Sequence, residues 1–133
     1  MGMAENVPQL NIVERGGYIL VTFPPYESRR QLEAGLSAVY DAVEEHGCCK
    51  LLMDCRATRE RIPILDLFHI CLYLVDRFGS VGARMAVIAS PEAVYPDRFG
   101  ETVVRNRGLD LIRFTGDDRE ALDWLLNAKG PPS

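Results

Sequence analysis

Lysine is scarce in this chain. Only Lys50 and Lys129 occur, and arginine supplies the rest of the 15 basic residues. Arginine forks hold carboxylate or phosphate in planar pairs where lysine offers only a point charge. Positive charge in excess is also lacking. The formal net charge of −4 argues against general nucleic-acid or anionic-membrane binding, which require a basic footprint. No run reaches the roughly 18 apolar residues of a membrane span, and no N-terminal stretch has the apolar centre of a signal peptide. Met1-Gly2 is followed by Asn6 where a myristoylation pattern needs Ser or Thr. The expectation is a single cytoplasmic domain over residues 1–133, with an ordered core at about 9–127. Histidine and cysteine are few as well: two and four. His46-x-Cys48-Cys49 is not a zinc spacing and no second ligand pair follows, so neither a metal nor another cofactor is expected. The cysteines read as reduced thiols.

What is present is a regular alternation of apolar patterns. Residues 9–14 (QLNIVE) read as an edge strand, Arg15-Gly16-Gly17 as a tight turn, and Tyr18 to Phe23 as the second arm of an antiparallel hairpin. Ser28 stands three residues before Gln31, the spacing of a capping box. Leu32, Leu36, Val39 and Val43 then recur at helical intervals until Gly47. Lys50 to Asp54 is a third strand and residues 64–78 a second helix. Arg84 to Ala89 is a fourth strand, and Tyr95-Pro96-Asp97 opens a third helix that Gly108 stops. Leu109 to Phe114 is a fifth strand, and Asp117-x-x-Glu120 starts a fourth helix. After the hairpin, strand and helix alternate. That order predicts an α/β fold: a mixed, mostly parallel five-stranded sheet with an N-terminal antiparallel hairpin and four helices.

In open α/β sheets ligands bind beyond the carboxyl ends of the strands. The glycines of Gly79-Ser80-Val81-Gly82 precede a strand and so lie at the wrong end for a phosphate loop. The carboxyl edge instead receives Arg56, Thr58, Arg59 and Arg61 after strand three, with Ser90, Tyr95 and Arg98 after strand four. Together these residues could hold a carboxylate, a phosphate or an acidic protein surface near the free amides of the second helix. The competing account is a solvated loop with Asp54 and Glu60 as counter-charges.

The second helix is the most informative segment. Asp66, His69, Tyr73, Asp76 and Arg77 fall within an arc of about 100°, leaving an apolar arc of about 220°. A sheet covers only part of such an arc. Leu65, Phe68, Ile70 and Leu72 are therefore expected to form an interface or to line an apolar pocket. Catalytic inventory is thin. Asp66, His69 and Tyr73 have the spacing of an acid–base trio, which is also the spacing of an ordinary solvent face. Cys55 near three arginines would have a lowered pKa, but the sequence sets no base beside it.

The strand KLLMDCRA, the apolar helix after it and the stretch RMAVIASPEAVYPDRFGETVVRNRGLDLIRFTGDDREALDWLL resemble the STAS-domain superfamily, closest to its SpoIIAA-like branch, which is grouped with SEC14-like folds. NRGLDLIRFTGDDREALDWL carries the most specific part. The resemblance spans nearly all of residues 9–127. It implies a mixed sheet and a non-enzymatic regulatory domain that binds a protein partner, such as an anti-sigma kinase. In those relatives a serine at the start of the second helix, in an Asp-Ser-Ser-Gly setting, is phosphorylated. Here that region reads Arg59-Glu60-Arg61-Ile62-Pro63-Ile64-Leu65-Asp66 and holds no serine; Thr58 is the only hydroxyl nearby. The switch transfers to no residue. Two expectations follow. One is a regulatory interaction module, dimeric or bound to a protein partner or an anion. The alternative is a SEC14-like carrier or sensor of a lipid-like ligand with an acidic head group.

Overall fold

A computed structural model describes residues 9–95, 99–107 and 112–127. Strands β1 (Asn11–Glu14) and β2 (Ile19–Thr22) form the antiparallel hairpin, closed by Arg15 N–H donating to the Tyr18 carbonyl. Gly16 and Gly17 both have positive φ there, 64° and 129°, which side chains resist. Helix α1 (Arg29–His46) follows, then β3 (Lys50–Asp54), α2 (Ile64–Phe78), β4 (Arg84–Ile88), α3 (Phe99–Arg105), β5 (Ile112–Thr115) and α4 (Asp118–Asn127). β2 to β5 are parallel neighbours in chain order. Architecture, element types and strand directions match the sequence expectation. Pro96, Arg98 and the start expected for strand five lie outside the described residues.

Period-two alternation divides each strand between two cores. Ile19, Val21, Leu51, Met53, Met85, Val87 and Ile112 face one side, where they meet α1, α2 and α3. Leu52, Ala86 and Ile88 face the other and meet Ala121 and Leu125 of α4. Three helices thus cover one face and, among the described residues, one covers the other.

Local chemistry fixes the helix ends. The Ser28 hydroxyl accepts the Gln31 N–H at 3.1 Å, and the Gln31 side chain accepts the Glu27 N–H at 2.8 Å, one residue earlier than a strict capping box. Gly47 closes α1 in the left-handed region with its N–H on the Val43 carbonyl. At α4, the Asp117 carboxylate takes the Arg119 N–H, while the Glu120 carboxylate takes the Thr115 hydroxyl instead of a backbone amide. Arg84 lays its guanidinium over the Trp124 ring at 4.2 Å, pinning α4 to β4.

The strand order changes one premise. The carboxyl-edge rule is strongest where neighbouring crossovers leave in opposite directions and open a crevice. A sheet ordered β1-β2-β3-β4-β5 has no such reversal. The crossover helices α1, α2 and α3 frame its carboxyl edge from one side, and the start of α4 stands on the other.

Candidate functional site

The ladder runs past the strand ends. Phe23 N–H donates to the Asp54 carbonyl, Cys55 N–H to that of Ile88, and Ala89 N–H to that of Thr115. Phe23, Cys55 and Ala89 are therefore held side by side on the carboxyl edge, and the β3–α2 and β4–α3 loops rise above them.

These two loops carry six of the seven expected polar residues and bring Arg59, Arg61, Ser90 and Tyr95 into one cluster; the seventh, Arg98, lies outside the described residues. Most are already engaged by protein partners. Arg56 clasps Asp54 in a fork, at 3.0 Å and 2.8 Å, which holds that carboxyl below its ordinary range. Arg59 bridges the loops to Glu92 at 3.3 Å, both side chains largely in water. Glu92 also accepts the Ser90 hydroxyl, the main cause of its lowered pKa. Thr58 and Ser90 are buried, and the Thr58 hydroxyl accepts the Tyr26 N–H at 3.1 Å. Tyr95 donates its hydroxyl to the Ile62 carbonyl at 2.7 Å, and Arg61 stacks on the Tyr95 ring at 5.0 Å. The cluster is thus a latch between two loops. Among the described residues, Arg61 is its one guanidinium with no carboxylate in ion-pair contact.

The apolar residues of α2 divide. Ile70 is buried and faces inward, so it is not part of the outward arc; Phe68 and Leu72 are half-buried. Leu65 is 69% exposed and Ile64 46%, at a helix start where Pro63 supplies no side-chain cap. The trio at helical spacing does not assemble. Asp66 faces Arg29 at 3.6 Å, Tyr73 accepts from Arg77, and exposed His69 lies edge-on to the Phe68 ring. Cys55 is the opposite of an activated thiol: burial pushes it up to about 12, and Asp54 adds to the effect.

Of Leu65, Phe68, Ile70 and Leu72, expected to form an interface or to line an apolar pocket, Ile70 lines a pocket at this end, whose other walls sequence reasoning did not name. This pocket of about 840 Å³, the solvent at its mouth included, lies between α2, α3 and the strand ends. Met53, Val87, Leu36 and Leu74 form its depth; Phe23, Tyr26, Phe99 and Phe114 surround it; Glu60, Ile62 and Tyr95 stand at the loop end. A readable signal existed in two glycines inside helices. A Cβ on Gly35 would sit 3.0 Å from the Phe23 ring, and one on Gly100 would sit 3.0 Å from the Phe114 ring. Glu101 was also missed. Its buried carboxylate accepts the Phe114 N–H at 3.0 Å, satisfying an amide of β5, the last strand of the sheet.

No helix among the described residues is long and apolar enough to cross a membrane. No group of three or more His, Cys, Asp or Glu among them could hold a metal ion. No family model matches the chain, and no curated protein is significantly similar to it. Solved structures do match. A serine-to-glutamate variant of RsbS from Moorella thermoacetica superposes with a TM-score of 0.58 at 14% identity, over 90% of this chain and 96% of that one. An uncharacterised DUF3478-family protein from Shewanella loihica PV-4, with a SpoIIAA-like fold, gives 0.55 at 20% identity, over 93% and 99%. The fold of this chain is therefore that of the SpoIIAA-like, STAS-type domains.

Proposed function

We propose that this chain is a non-enzymatic, STAS-like interaction module that docks a protein partner on the exposed start of α2, without a phospho-serine switch. The carrying observation is Leu65, 69% exposed beside Ile64 at the tip of the helix. Arg61 in the preceding loop would meet acidic groups at the rim of the contact. The likeness to RsbS supports the fold of such a module, and the burial of Thr58 and Ser90 supports the absence of a switch at either. The scattered Asp66, His69 and Tyr73, and a Cys55 held neutral, support a role without catalysis. A cytoplasmic site of action suits four free thiols.

Leu65→Asp tests the reading. Burying a whole leucine is worth about 1.5–3 kcal/mol, so hiding the exposed two-thirds of this one at a contact is worth about 1–2. The variant should fold with a stability change under about 0.5 kcal/mol. It should also lose roughly tenfold or more in self-association by sedimentation equilibrium, or in binding to a partner isolated by pull-down from native lysate. Identical behaviour of wild type and variant in both assays rejects this docking face.

A further inference from the structure

The pocket above the strand ends belongs to none of the contacts in the docking reading and calls for its own account. Protein interiors are packed to crystal density, and gaps larger than a water are few. This one has a structural origin. Helix α2 and the described part of α3, Phe99–Arg105, stand beside the carboxyl ends of β3 and β4 and wall the space between them. Ala89 and Ala93 are too small to fill the space. Gly35 and Gly100 then let the Phe23 and Phe114 rings lie close against α1 and α3. Glycine inside a helix costs about 1 kcal/mol relative to alanine, so both positions are helix-weakening choices that make room for the rings bordering the cavity.

The chemistry of the wall selects the occupant. The deep residues, Met53, Val87, Ile70 and Leu74, carry no hydrogen-bonding group. The polar groups near them are uncharged. The Cys55 thiol stays neutral to about 12, and burial holds the Tyr26 phenol protonated. The Tyr95 hydroxyl is given to the Ile62 carbonyl. Among the described lining residues the one charged side chain is Glu60, at the rim, and Arg61 stacks over Tyr95 nearby. Charge taken into such an interior would go uncompensated, at a cost of several kcal/mol.

We infer that this cavity is a binding site for a small apolar molecule, a chain or fused ring whose buried part bears no charge and whose polar end, if it has one, remains at the mouth beside Glu60 and Arg61. The inference does not depend on docking at Leu65. It shares with that reading α2, whose inner side supplies Leu67, Ile70 and Leu74 to the pocket, and Arg61 in the loop before it.

The test is a fluorescence titration of the full chain with N-phenyl-1-naphthylamine, followed by displacement. Wild type should bind the probe saturably in the micromolar range. Decanoic acid and decan-1-ol should both displace it. Decanedioic acid, which would have to bury a second carboxylate, should be at least tenfold weaker than decanoic acid. Ala89→Leu fills the floor and should weaken probe binding tenfold or more while raising or preserving the melting temperature, because it occupies empty space. Ala93→Phe, on the more adaptable loop, is the second filling variant should the first fail to fold. Leu65→Asp should leave the titration unchanged, which separates failure of the docking reading from failure of this one. Absence of saturable binding to wild type overturns the inference. So does equal displacement by the diacid, or unaltered binding by a folded filling variant.

Discussion

Replacing Leu125 with alanine probes the attachment of α4, the one described helix on the second face of the sheet. Leu125 is fully enclosed among Leu52, Ala86, Ile88 and Ala121. Two of those neighbours are alanines and have no side chain to swing into the void. Ala86 is held on both sides by the ladder, opposite Leu52 and Arg113, so its backbone cannot move inward either. A site that cannot collapse pays the upper part of the Leu→Ala range, about 3–5 kcal/mol. Against a total of roughly 5–15 kcal/mol for a domain, that is a large fraction. At a slope of about 2 kcal/mol per molar urea, the unfolding midpoint should fall by roughly 2 M with the slope unchanged. Leu126, the next residue, is 39% exposed, and Leu126→Ala should cost less than about 1 kcal/mol. Urea denaturation followed by circular dichroism measures both. A loss under about 1.5 kcal/mol at Leu125, or equal losses at the two positions, would refute the claim that α4 is packed tightly on this face.

Thiol reactivity gives a second check. Burial raises Cys55 to about 12 and Cys71 to about 11, while Cys48 and Cys49 are half-buried. Ellman's reagent at pH 8 should titrate at most two thiols in the folded protein and four after unfolding; rapid titration of all four would contradict the packing. The linkage has a definite sign. Both folded values lie above the ordinary 9.0, so unfolded thiols release their protons first. Stability should therefore be unaffected by these groups below about pH 9 and decline as pH rises from there toward 11 and 12. Urea midpoints at pH 8 and 10.5 should diverge, and the divergence should shrink in a Cys55→Ala, Cys71→Ala double variant; an unchanged divergence rules these thiols out as its source. Glu101→Ala should cost about 1–3 kcal/mol by removing the acceptor of the Phe114 amide, and Glu101→Gln should recover part of it, as read by thermal melts. Equal losses in the two would show that the carbonyl acceptor is not what matters.

The fold was legible because its signals are local. Alternation in Leu51-Leu52-Met53 and Met85-Ala86-Val87 sends neighbours to opposite cores, and the helical spacing in 64–78 marks α2 to the residue. The site was legible only in part. The strand-end rule brought Arg59, Arg61, Ser90 and Tyr95 together, yet what each does was hidden. Arg59 meets Glu92 from 33 positions away, a contact no spacing encodes. Asp66, His69 and Tyr73 share a helix face, but Arg29 from α1 engages Asp66 and Arg77 engages Tyr73. An apolar pocket was expected from the arc of α2, but its place was not readable because it is a missing volume. Ala89, Ala93 and Gly100 belong to three different segments and mean nothing until those segments converge.

The one-directional strand order bears on how the polypeptide is made. As it leaves the ribosome, each new parallel strand joins the rim laid down just before it, and the three crossover helices settle on one side as they come. The opposite side gains its cover only when Asp118 onward has emerged. Any nascent species halted ahead of that point displays Leu52, Ala86 and Ile88 to the surroundings as a bare oily plane. Translation stalls and premature stops shortly before or within residues 118–127 should thus be disproportionately toxic or chaperone-dependent, although the truncated product already possesses every described strand.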